Sequence, residues 1–119
     1  MEDLERNIIL WLLDTYPSER EAFASQLLGA KVTEREFTNG GGVFITFKPN
    51  QNSMPVSSNF LDGLTRTNGP EISSPELQHG ATVDIEFDNN GIVDYVEIWA
   101  MAGDYPNDRH PDTYVFAKP

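Results

Sequence analysis

Two runs of alternating apolar and polar residues, Thr82–Phe87 and Val93–Met101, flank Asp88-Asn89-Asn90-Gly91. Alternation at period two marks half-buried strands, and this turn sequence joins strands tightly, so 82–101 reads as a β-hairpin. Two registers compete. A type I turn with Gly91 left-handed in a bulge pairs Phe87 with Val93 and Ile85 with Tyr95. One face then carries Val83, Ile85, Phe87, Val93, Tyr95, Glu97, Trp99 and Met101, and the other Asp84, Glu86, Asp88, Asp94, Val96 and Ile98. A two-residue type I′ turn at Asn90-Gly91 instead joins Val83, Ile85 and Phe87 with Val96 and Ile98. A slip of one residue moves every side chain to the other face. The bulged register gathers the larger apolar set and is the expectation.

Upstream the period changes. Leu4, Ile8, Trp11 and Leu12, widened by Ile9 and Leu13, form the stripe of a helix from Glu2 to about Thr15, with Trp11 expected in the core. Its acids fall in the first turn, where the helix dipole favours them. Pro17 ends it, because the residue before proline is pushed out of the α region. Ser18-Glu19-Arg20-Glu21 has capping-box spacing and opens a second helix to about Leu28, with Phe23 and Leu27 inward, Ala24 and Leu28 beside them, and Gly29 as its stop. Lys31–Thr38 reads as a charged edge strand and Val43–Lys48 as a strand with Val43, Ile45 and Phe47 on one face. Segment 50–80 is rich in Pro, Gly, Ser, Asn and Thr. A loop of that length is rare in a small domain. Short pieces are expected within it: a turn near Phe60-Leu61, an extended stretch near Glu71-Ile72, and Phe60, Leu61 and Leu64 tucked at the core edge. Ala102–Pro111 reads as a loop and Asp112–Lys118 as a last strand, with Tyr114 and Phe116 on one face. The expectation is one α+β domain, 1–119, with an N-terminal helical hairpin packed on an antiparallel sheet of about five strands.

Charge narrows the partners. Nineteen acids against eight Lys and Arg give a net charge of −11. This disfavours nucleic-acid phosphates and anionic lipid and favours a basic protein partner, while also serving solubility. There is no Cys, so disulfides and thiolate chemistry are excluded. The longest apolar run, Ile8–Leu13, is too short to span a bilayer, and the acids before it do not suit a signal peptide. A cytoplasmic location is the expectation.

Gly29-Ala30, Thr33-Glu34-Arg35-Glu36-Phe37-Thr38 and Gly41-Gly42-Val43-Phe44-Ile45-Thr46-Phe47 follow one another in the first half. His79-Gly80-Ala81, Asn90-Gly91, Val96-Glu97 and Tyr105-Pro106 follow in the second. Together they resemble a small bacterial α+β family with a G-A-x-V-x-x-R-E-F-T pattern, to which no activity is attached. Size and charge are also similar to those of immunity proteins encoded beside bacterial toxins. That likeness implies neutralisation of a basic toxin. The polar insert after Pro49 departs from the family pattern.

Candidate chemistry is sparse. His79 and His110 are the only histidines, no nucleophile elbow occurs, and no catalytic residue is assigned. His79 is expected to satisfy a turn backbone. The Asn39–Gly42 glycines lack the Lys-Ser/Thr of a phosphate loop. Asp104, Asp108, His110 and Asp112 cluster, yet frames begun at Asp104 or Asp84 fail the calcium-loop pattern, so no metal or cofactor is assigned. Glu97 is the one carboxylate on an otherwise apolar face, expected to be buried and paired, with Arg35 as a candidate partner. Two functional readings follow. The first is an interaction protein that docks a basic partner on Asp84, Glu86, Asp88 and Asp94 around Val96 and Ile98. The second is a small-molecule binder or enzyme with a pocket at Tyr95, Glu97 and Trp99. Oligomeric state is left open.

Overall fold

A computed structural model describes residues 1–117. The chain folds as α1 (Asp3–Thr15), a 3-10 turn (Pro17–Glu19), α2 (Arg20–Leu27), β1 (Lys31–Phe37), β2 (Gly42–Lys48), α3 (Ser58–Leu61), β3 (Arg66–Asn68), β4 (Ile72–Ser74), β5 (Leu77–Phe87), β6 (Val93–Ala100) and β7 (Val115–Phe116). The strands form one antiparallel sheet in the order β1-β2-β6-β5-β4-β7, with β3 also paired to β5. The helical hairpin packs on one face of it. The α+β expectation holds. There are seven strands rather than about five, because segment 50–80 supplies β3 and β4 as well as α3. No helix among the described residues is long and apolar enough to cross a membrane.

The stripe of α1 is buried at Leu4, Ile8, Ile9, Leu12 and Leu13. Trp11 lies at its margin, half-buried and edge-on to Tyr16 at 5.9 Å, so it is not the core residue expected. The capping box forms one helix earlier than expected. Glu5 reaches back to the Glu2 amide at 2.9 Å, whereas Ser18 falls in the 3-10 turn and caps nothing. α2 buries Ala22, Phe23, Gln26 and Leu27, and Leu28 is exposed. The buried Gln26 amide donates to the carbonyls of Met54 (2.8 Å) and Gly91 (3.0 Å) and accepts from the Val93 amide at 2.7 Å. One side chain thereby ties α2 to both the polar insert and the hairpin turn. In the insert, Phe60 and Leu61 pack against the core as expected, but Leu64 is exposed. The last strand is shorter than Asp112–Lys118, and Lys118 lies outside the described residues.

The hairpin combines the expected bulged turn with the facing of the competing register. Gly91 is left-handed (φ +77°) and Phe87 pairs with Val93, as the bulged turn requires. Asp88 fixes that turn, accepting from the amides of Asn90 and Ile92. A second bulge follows at once: Glu86 pairs with Tyr95, and Ile85 with Val96 rather than with Tyr95. Asp94, the extra residue, is exposed. The cause is the spacing of three between Val93 and Val96, which strict alternation cannot place on one face. With the bulge, Val83, Ile85, Phe87, Val93, Val96 and Ile98 all enter the core. Tyr95, Glu97 and Trp99 therefore face away from the helices.

Candidate functional site

The uncovered face of the sheet is built by cross-strand neighbours. Phe44 of β2 and Asp84 of β5 flank Glu97, and Thr46 and Glu86 flank Tyr95. Glu34 and Glu36 of β1 extend the same face beside Thr46 and Phe44. On the far side Arg66 of β3 pairs with Glu86 at 3.4 Å and approaches Asp84 at 4.0 Å. The Trp99 indole N–H donates to Asp84 at 3.3 Å and the ring is 42% exposed. Phe44 and Tyr95 meet edge to face at 5.8 Å. The site is thus a band of carboxylates interleaved with three aromatic rings, with Arg66 as its cation.

The expected residues divide. Asp84 and Glu86 lie on this face; Asp94 is exposed at the bulge and Asp88 is committed to the turn. Val96 and Ile98, expected at the centre of the docking face, are 2% and 0% exposed and belong to the core. Tyr95, Glu97 and Trp99, expected in a separate pocket, share the surface with Asp84 and Glu86 instead. Glu97 has no hydrogen bond or ion pair among the described residues, so the expected buried pairing with Arg35 is overturned. Desolvation by its neighbours, then the charges of Asp84 and Glu86, push its carboxyl above the usual range. Loss of water, then Glu86, Glu97 and Asp94, push the Tyr95 phenol up likewise. Beside this face lies a groove of about 630 Å³ bordered by Trp99, Asp84, Thr82, Trp11 and Tyr16. The Thr82 hydroxyl is buried there without a hydrogen-bond partner.

A second constellation lies inside. Arg35 grips Glu5 with two hydrogen bonds, Nε to Oε2 at 2.6 Å and Nη2 to Oε1 at 2.7 Å, and its Nε is 2.8 Å from Glu2. His110 Nε2 donates to Glu5 Oε2 at 2.8 Å, since a carboxylate can only accept. In the neutral imidazole Nδ1 then accepts from the Tyr105 hydroxyl at 2.9 Å. The order Tyr–His–Glu is that of an activated-nucleophile relay, but Tyr105 is 1% exposed and closed to substrate. Burial, then the Glu5 charge, hold its phenol well above the usual range. Burial raises the Glu5 carboxyl, yet hydrogen bonds from Arg35 and His110 outweigh it and leave it at about 2. Glu2, Glu5 and His110 lie close enough to share a cation. Arg35 already supplies the positive charge there, so the group is a structural tie among α1, β1 and the 101–114 loop.

Arg35 was expected beside Glu97 and His110 among the loop acids; the fold brings both to Glu5 instead. The remaining acids of the loop do not gather around His110, whose ring turns inward; Asp108 and Asp112 stay exposed, and Asp112 lies 3.7 Å from Arg109. His79 is exposed on β5 and makes no side-chain hydrogen bond among the described residues, contrary to expectation. Comparison of the chain with family models, with curated proteins and with solved structures gives no match. The bacterial-family resemblance therefore rests on its own motifs.

Proposed function

We propose that this chain is an interaction protein that docks a basic protein partner on the uncovered sheet face. The observation that carries the reading is the composition of that face: Asp84 and Glu86 share Arg66 as their cation, Glu97 beside them has no ion pair among the described residues, and Trp99 is half-exposed. Crowded carboxylates on adjacent strands repel one another, and a cationic partner relieves that repulsion. Aromatic rings supply the apolar anchor that an interface needs and hold guanidinium groups well. Neutralisation of a toxin, as in immunity proteins, is one form of this activity, and a cytoplasmic setting belongs to the same proposal. The test is affinity capture with the wild-type chain and with an Asp84→Asn/Glu86→Gln/Glu97→Gln/Trp99→Ala variant. A basic protein retained by the wild type at low salt, released at high salt and absent from the variant supports the reading. Equal retention by both baits refutes it.

The small-molecule reading keeps one specific observation, the groove bordered by Trp99, Asp84 and Trp11. A ligand there would quench or shift Trp99 fluorescence, and Trp99→Ala would weaken its binding.

A further inference from the structure

β1 is an edge strand, so one side of its backbone is open. Open edges invite pairing with another chain, and natural proteins restrict them with charges and bulges. β1 carries both devices: the register with β2 shifts between Val32 and Glu34, and the charged side chains among its exposed residues are Lys31, Glu34 and Glu36. None of those three charges forms an ion pair among the described residues. Their order along the strand is polar, with the cation at one end and the anions towards the other.

Beside the same edge lies a groove of about 530 Å³ between the starts of α1 and β1. Its floor is Ile9, Leu27 and Ala30; its walls include Met1, Leu10 and Leu28, which are 36%, 44% and 46% exposed. These three belong to the small set of large apolar side chains left open to water, and they gather at the one open edge where the charges are unpaired. A clustered apolar patch of this kind marks an association surface.

We propose that the occupant of this edge is a second copy of the chain, paired antiparallel through β1 about a two-fold axis between Thr33 and Glu34. That register sets Lys31 of each copy opposite Glu36 of the other, forming two ion pairs by symmetry. It brings the Met1, Leu10 and Leu28 patch against the neighbouring protomer and continues the sheet across the dimer. The contact is isologous, so it closes at two copies. The register is selective: it sets two Lys31–Glu36 pairs against one approach of Glu34 to its copy across the axis, and any shift separates those pairs. The long-range repulsion between two chains of charge −11 is screened at physiological salt, where the Debye length is about 8 Å. This pairing uses Glu36 at the margin of the uncovered face but none of Asp84, Glu86, Glu97 or Trp99.

The test is sedimentation equilibrium of the full chain near physiological salt, over micromolar to millimolar concentration. The wild type is expected to show a monomer–dimer equilibrium. Lys31→Glu and Glu36→Lys are each expected to weaken it at least tenfold, and the double exchange is expected to restore it. Both side chains are exposed and unpaired, so circular dichroism and the melting temperature serve to show that each variant is folded. Leu10→Glu gives a second, charge-independent disruption. A wild type that remains monomeric throughout overturns the proposal. So does a dimer indifferent to the charge exchanges, which places the contact elsewhere.

Discussion

Glu5 is buried and ion-paired, so its ionisation is linked to stability. Its carboxyl lies at about 2 in the folded chain against an ordinary value of 4.5. A carboxyl depressed by folding contributes its full stability above its unfolded value and loses it as pH falls towards the folded one. The contribution, on the order of 3 kcal/mol, should fade between roughly pH 5 and pH 2. Glu5→Gln should lose about 1–3 kcal/mol at neutral pH, since it weakens the charge-assisted bonds from Arg35 and His110 while Arg35 keeps Glu2 as a partner. It should also show a flatter fall in urea stability on acidification than the wild type; identical slopes would show that another group dominates. Glu97 has the opposite sign. A carboxyl raised by folding opposes stability as pH rises through its folded value. Glu97→Gln should therefore leave stability at pH 7 unchanged or higher by up to about 0.5 kcal/mol, the scale of a relieved cross-strand repulsion. A loss above about 1 kcal/mol in urea unfolding would reveal a hydrogen-bond partner for the carboxylate.

At the scale of elements, the hairpin is where α2, the polar insert and the sheet meet. Gln26→Ala removes the acceptor of the Val93 amide and the donor to two carbonyls. A loss of about 1–3 kcal/mol is expected, with faster hydrogen exchange at Val93; an unchanged exchange rate would mean that water replaces the amide. The helices, the main strands and the turn at Gly91 were legible because each has a local signature: a 3.6 period, an alternation, an Asp-x-x-Gly turn. The face of Glu97 was misread because alternation was continued through Asp94. The signal was present, since Val93 and Val96 are three apart in a strand that otherwise alternates. β3 left little trace, being three residues held by β5 rather than by its own pattern, whereas β4 falls at the extended stretch expected near Glu71-Ile72. The Glu5–Arg35–His110 tie could not be read at all, because its members lie 30 and 105 residues apart and only the tertiary fold joins them.

The whole molecule has two open surfaces of different chemistry. The broad face of the sheet is acidic and aromatic, and the β1 edge pairs an apolar groove with charges of both signs. On the proposed function, the excess of carboxylates would act at long range, steering a cationic partner and raising its association rate by about 10–10³ at low salt. Rim charges work mainly on that rate, while an anchor such as Trp99 works on dissociation. Trp99→Ala should therefore speed release at least tenfold with little change in the on-rate, as stopped-flow would record. The most direct measurement is the association rate of the captured basic partner with the wild type and with Asp84→Asn/Glu86→Gln/Glu97→Gln, at low and at high ionic strength. The variant is expected to associate at least tenfold more slowly at low salt, with the two rates converging at high salt. An unchanged rate with an unchanged salt dependence would contradict the proposed docking face.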